Sequence, residues 1–135
     1  MIDQIEVRAP AQGLYEITEQ VREVVRRAEI GQGLCTLFIQ HTSASLTIQE
    51  NADPSARRDL EAWLNRLVTE GDPLYSHTLE GPDDMPSHIK SVLTTTSLSI
   101  PILGGSLALG TWQGIYLWEH RRRPTSRRIV IHVGE

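Results

Sequence analysis

The chain has 135 residues, a net charge of −4, 39% hydrophobic and 22% charged residues, and one cysteine. That is the size and make-up of one globular domain with its own core. The acidic balance argues against a dedicated nucleic-acid binder, a lone cysteine excludes an internal disulfide and a cysteine-rich zinc module, and no apolar run nears the ~20 residues of a membrane helix. Met1 to Glu6 has neither the basic start nor the apolar run of a signal peptide, so the expectation is a soluble, cytoplasmic protein without repeats or linkers.

Residues 2–8 alternate in polarity, which predicts a first strand. A turn at Pro10 and Gly13 leads to a second, Leu14 to Ile17. Thr18 is placed to cap a helix whose apolar stripe is Val21, Val24, Val25 and Ala28, ended by Gly31 and Gly33. Leu34 to His41 reads as a strand apolar on both faces, and therefore central. Leu46 and Ile48 continue as another strand with Glu50 at its end. Asp53-Pro54 starts a helix with the stripe Leu60, Trp63, Leu64 and Leu67. A long polar connection over residues 71–86 follows, of the kind that is functional or disordered, and Pro86 opens a short helix through Leu93. Four strands close the chain, Ser97–Ile102, Ser106–Gly110, Gly114–Glu119 and Arg128–Val133, with a hairpin at Gly104-Gly105. About eight strands and three helices, not regularly alternating, predict an α+β fold.

The chemistry concentrates in Gln40 to Pro54, between an apolar strand and an amphipathic helix. Polar groups packed there are costly unless paired or binding something, so this stretch is read as one wall of a site. His41 ends the strand and suits equally a ligand, a general base or a backbone-bonded structural residue. His77 and His88 lie near the long connection at no established metal spacing, and His132 reads as structural or surface. Glu119 and His120 point to opposite faces of their strand; Glu119 ends an apolar row and reads as a solvated rim or a desolvated functional carboxylate. Arg121, Arg122, Arg123, Arg127 and Arg128 form the densest basic cluster, and Arg128 is favoured for anion binding. Asp83-Asp84 suits magnesium or, more commonly, a turn. There is no phosphate-cradling glycine loop, Rossmann fingerprint or nucleophile elbow.

Three blocks together, Gln40-His41-Thr42-Ser43-Ala44-Ser45-Leu46 with Glu50-Asn51-Ala52-Asp53-Pro54, Gly81 to Lys90, and Leu109 to Ile115 with Glu119-His120-Arg121, resemble the YjbQ-like family, also called the secondary thiamine-phosphate synthase family. The resemblance covers nearly the whole chain. It implies a compact single α+β domain over residues 1–135 with a mixed, largely antiparallel β-sandwich-like sheet, and assembly as a homotrimer. It matches His41, His77 and His88 to the histidine-bearing blocks with which a divalent metal is associated, and adds Thr42, Ser43, Asn51 and Gln113 to the ligand-binding residues. Many members carry an acidic Asp-Gly-Pro turn after the strand glutamate; here His120-Arg121 follows, as in the branch with Glu-His-Arg. Three functions are implied. One is thiamine-phosphate synthesis, with Arg121 and Arg128 on phosphate and a metal on His77 and His88. Another is zinc-dependent hydrolysis on His41, His77 and His88 with Glu50 or Glu119 as base. The third is a non-catalytic trimer binding a small phosphorylated anion. Imidazole ligands favour zinc over magnesium.

Overall fold

The structure, a computed structural model, describes residues 1–135. Its elements in chain order are β1 (Ile2–Ala9), β2 (Gly13–Glu16), α1 (Thr18–Ala28), β3 (Gln32–Ile39), β4 (Ala44–Glu50), α2 (Pro54–Leu67), α3 (Asp84–Leu93), β5 (Ser97–Leu103), β6 (Ser106–Leu107), β7 (Gln113–Glu119) and β8 (Thr125–Gly134). They form a five-stranded sheet, β1-β8-β3-β5-β6, and a three-stranded sheet, β2-β7-β4. Every pairing is antiparallel, so no parallel strand accompanies them. No helix is long and apolar enough to cross a membrane.

The main core lies between the sheets. Cys35, Leu37 and Ile39 of β3 and Ile129, Ile131 and Val133 of β8 face Leu46 of β4 and Ile115 and Leu117 of β7, with Val21, Val24 and Val25 of α1 beside them. A smaller cluster on the far side of the three-stranded sheet joins Leu14, Tyr116 and Trp118 to Leu64 and Val68 at α2 and its end. β7 is therefore buried on both faces. Its alternation sends Ile115, Leu117 and Glu119 one way and Tyr116, Trp118 and His120 the other.

Four local expectations are corrected. β3 is central in its sheet, but only one face is buried: Leu34 and Phe38 are 49% and 50% exposed, because no helix covers that side. Thr18 does not cap α1. Its hydroxyl donates to Glu16 Oε2 at 2.7 Å and accepts from Ile115 N at 2.9 Å, tying the helix to β7 instead. The α2 stripe buries Leu64 and leaves Trp63 and Leu67 half exposed, since the helix meets the three-stranded sheet along one narrow edge. α3 begins at Asp84, two residues before Pro86. The proline sits in the first turn, where its missing N–H has no helical partner to lose.

Candidate functional site

The early start of α3 brings the site together. Asp84 and His88 fall one turn apart on the same helix face, and the connection from α2 lays His77 against them. Asp84 Oδ2 is 2.7 Å from His77 Nε2 and 3.1 Å from His88 Nε2. One donor atom from each of the three residues lies within 4.8 Å of the others. The other nitrogen of His88, Nδ1, donates to the carbonyl of Thr42 at 3.0 Å, so the turn after β3 orients the ring. His77 and His88 stay partly exposed, whereas Asp84 is buried.

Asp84 is held from behind. Its Oδ1 accepts from Arg121 Nη1 at 2.6 Å. Arg121 also reaches Asp83 Oδ2 through Nε at 3.1 Å and the Glu80 carbonyl through Nη2 at 2.9 Å, and Asp83 Oδ2 accepts from Arg122 N at 2.9 Å. Burial pushes the Asp84 carboxyl up, but the hydrogen bond from His77 and the charge on Arg121 outweigh it, so it stays below the usual carboxylate range. Gly81 makes the loop possible. Its φ is +106°, a left-handed conformation, and an added Cβ would stand 3.3 Å from Asp83 Oδ1.

A second polar cluster sits beside the first, on the other side of Thr42. Glu119 is 0% exposed, which overturns the expectation of a solvated rim. Its Oε1 accepts from Arg127 Nε at 2.6 Å and from Thr125 Oγ1; its Oε2 accepts from Arg127 Nη2 at 2.5 Å and Arg121 N at 2.9 Å. Arg127 Nη2 also donates to Ser43 Oγ at 2.9 Å. His41 Nε2 accepts from the Arg128 backbone N–H at 2.8 Å, and its Nδ1 lies 3.3 Å from Arg127 Nη1. Burial first, then the charges of Arg127 and Arg128, push the His41 pKa down and favour the neutral ring. His41, Thr42, Ser43, Thr96 and Arg127 help line an open concavity of about 530 Å³. On the other face of β7, His120 Nε2 meets Ser45 Oγ at 2.9 Å, and its burial, with Lys90 and Arg127 nearby, pushes its pKa down to about 3.

Of the residues singled out in the sequence, His77 and His88 meet, and Asp84 joins them where His41 was expected. His41 lies with Thr42 and Ser43 at the concavity. Arg121 is buried, and its guanidinium is engaged by Asp83, Asp84 and a carbonyl rather than open to a ligand. β8 begins at Thr125, three residues earlier than expected, so its alternation turns Arg127 inward and leaves Arg128 exposed. Glu50, Asn51 and Gln113 lie at the opposite end of the β4–β7 pair. Glu50 pairs with Gln113 while Ala44 pairs with Glu119, six residues and so about 20 Å away. There Asn51 Nδ2 donates to Glu16 Oε2 at 3.2 Å, and Gln113 Oε1 accepts from Gly110 N at 2.7 Å. Asp84 was missed because Asp83-Asp84 reads as a turn; its separation of four from His88 was the available signal.

The family model for UPF0047 protein YjbQ-like matches residues 3–135. A UPF0047 protein of Synechocystis is 49% identical over 128 residues, 95% of this chain and 87% of its own length. The UPF0047 protein YjbQ of Escherichia coli O157:H7 is 45% identical over 123 residues, 90% and 88% of the two chains. Among solved structures, a conserved hypothetical protein from Thermus thermophilus superposes with a TM-score of 0.87 at 34% identity, covering 98% of this chain and 99% of that one. An uncharacterized YjbQ/UPF0047 family protein from Clostridium acetobutylicum gives 0.85 at 34% identity, covering 99% of both. With its sequence matched from end to end and its fold shared, the chain belongs to the YjbQ/UPF0047 family.

Proposed function

We propose that this protein uses a divalent metal ion, held by His77, Asp84 and His88, in hydrolysis of a small phosphorylated molecule. The observation that carries the reading is the pair of contacts that His88 makes, with the Thr42 carbonyl and with Asp84. A carbonyl oxygen can only accept, so the contact with Thr42 commits the Nδ1 proton. In the neutral ring, Nε2 then presents a lone pair to the Asp84 carboxylate oxygen at 3.1 Å. Two acceptors at that separation need a cation or a proton between them. The 2.7 and 3.1 Å spacings also approach the edge of a tetrahedron with bonds near 2.0 Å, about 3.3 Å.

Two imidazoles and one carboxylate suit zinc or iron(II) better than magnesium, and three protein ligands leave positions open for a substrate. A metal bound there supplies Lewis-acid polarisation of a substrate oxygen and neutralises charge on a phosphate. Arg121 fixes the Asp84 carboxylate, and the Thr42 carbonyl fixes His88, as the outer partners of a metal site do. His41 lines the adjacent concavity with Thr42 and Ser43, but its Nε2 already accepts from the Arg128 backbone N–H and its pKa is pushed down, so it shapes the wall of the concavity rather than taking a proton there. Glu119 has its oxygens committed and Glu50 lies at the far end of β4, so neither is favoured as the base. Thiamine-phosphate synthesis is the second reading. It rests on the family resemblance and is disfavoured by the nitrogen-rich ligand set, since pyrophosphate departure calls for magnesium.

The test is elemental analysis of protein purified without chelator or histidine tag. One ion per chain, lost in His77→Ala, Asp84→Asn and His88→Ala and kept in His41→Ala, is the expected result. No metal, or metal retained in all four, defeats the proposal.

We propose also that the chain works as a homotrimer. The outer face of the five-stranded sheet, with Leu34, Phe38, Pro101 and Leu103 in neighbouring rows, is uncovered and supports this reading. Light scattering should give three times the chain mass, with Phe38→Glu shifting it toward monomer; a wild-type monomer at micromolar concentration sinks the idea.

A further inference from the structure

α3 carries a second polar residue that the metal reading leaves unused. Lys90 follows His88 by two positions, about 200° round the helix. It points away from the histidines, toward α2 and the end of β7, and is 4% exposed. An ammonium has three hydrogens to donate. The protein takes one of them, at Asn65 Oδ1, 2.5 Å away. The nearby carboxylates are paired elsewhere, Glu70 with Arg122 at 2.6 Å and Asp83 with Arg121 at 3.1 Å. A buried cation with a single neutral acceptor is costly to keep unless something else neutralises it.

Lys90 borders two adjoining recesses. The larger, about 220 Å³, lies between α2 and α3 and includes Thr69, Glu70 and Arg122 in its lining. The smaller, about 40 Å³, runs inward to Glu61, Trp118 and His120. Gln12 and Asn65 border both. They are fixed by a chain of amides: Asn65 Nδ2 donates to Gln12 Oε1 at 3.0 Å, and Gln12 Nε2 donates to the His120 carbonyl at 2.9 Å. That chain holds the Asn65 carbonyl oxygen on Lys90 and leaves the amine's other hydrogens without a protein acceptor. In the smaller recess Glu61 Oε1 is used by Leu14 N at 3.0 Å. The larger recess therefore sets two cations, Lys90 inside and Arg122 at the mouth, against one carboxylate, Glu70, which pairs with the arginine. A single water needs about 10–15 Å³ of such space, so the recess admits a far larger group. The spare hydrogens of an ammonium and a guanidinium outnumber what one carboxylate can accept, and they suit the several oxygens of a phosphate.

We propose that this recess between α2 and α3 is a binding site for a phosphate group, with Lys90 as its buried cation and Arg122 as its partner at the mouth. The site is separate from His77, Asp84 and His88 and works without them.

Inorganic phosphate is the probe, titrated calorimetrically into the full chain after treatment with a chelator. Saturable binding at one site is expected, surviving metal removal and weakened at least about tenfold in Lys90→Met. Arg122→Ala should weaken it less, and Arg128→Ala, on the far sheet face, not at all. Acetate should compete poorly. Binding that vanishes on chelation belongs to the metal and overturns the proposal. So does the lack of saturable binding, equal competition by acetate, or full affinity in a folded Lys90→Met. If Lys90→Met does not fold, the ammonium NMR signal of Lys90 in the wild-type protein replaces it: a shift on adding phosphate is expected, and none refutes the site.

Discussion

The two ends of the β4–β7 pair carry similar side chains in different surroundings. At one end Ala44 pairs with Glu119, and the carboxylate there is buried, taking two nitrogens of Arg127, a hydroxyl and a backbone N–H. At the other Glu50 pairs with Gln113, and both are exposed. The first end is closed over by α3, by the turn after β3 and by the start of β8; the second ends in loops. Desolvation is what separates them. A charge taken out of water must find partners, and the same partners bring the Asp83, Asp84 and Arg121 cluster and His41 into fixed positions. A charge left in water makes no such demand.

The sharpest way to break this comparison is to remove the charge at each end. Glu119→Gln strands the buried guanidinium of Arg127 and should cost about 3–5 kcal/mol. Glu50→Gln should stay within about 0.5 kcal/mol. Urea midpoints at unchanged slope measure both; equal effects would mean that the buried end is not organised by its ion pair.

A smaller effect lies on the other face of the same strand end. His120 is held near a pKa of 3 by burial, first of all, against an ordinary 6.5. The folded chain refuses a proton that the unfolded chain accepts, so stability is full above the unfolded value and falls as the pH drops below it. The expected slope is up to about 1.4 kcal/mol per pH unit for each such proton. His41, also shifted down, adds in the same direction. Asp83 and Asp84, held below the usual range, lose their contribution only at lower pH. Unfolding measured between about pH 6.5 and 5 therefore isolates the histidines. His120→Asn should be less stable throughout and flatter with pH; an unchanged slope would place that proton elsewhere.

Much of the architecture was legible because it rests on alternation. Cys35, Leu37 and Ile39, or Tyr116 and Trp118 against Ile115 and Leu117, point where a period of two says they must. His132 alternates with Val130 and is exposed, as read. Element ends were less legible. Moving the start of α3 from Pro86 to Asp84 turned an apparent acidic turn into a helical Asp–His pair, and moving the start of β8 to Thr125 brought Arg127 into the strand as a buried arginine and left Arg128, favoured for anion binding, exposed. The α3 shift leaves the pattern of apolar residues unchanged, so periodicity carried no information about it; in β8 the alternation of Ile129, Ile131 and Val133, carried back two residues, was the signal for Arg127.

The sequence by itself determined the α+β class, the strand and helix count, and the histidine-bearing stretches, because local periodicity and turn chemistry suffice for those. Only the tertiary structure decided which polar residues meet. His77 joins Asp84 through a long connection, Arg121 reaches back some forty residues to hold that carboxylate, and Lys90 is bonded to Asn65 of α2. Those contacts depend on how the layers close over one another, and on which charges the closure takes out of water.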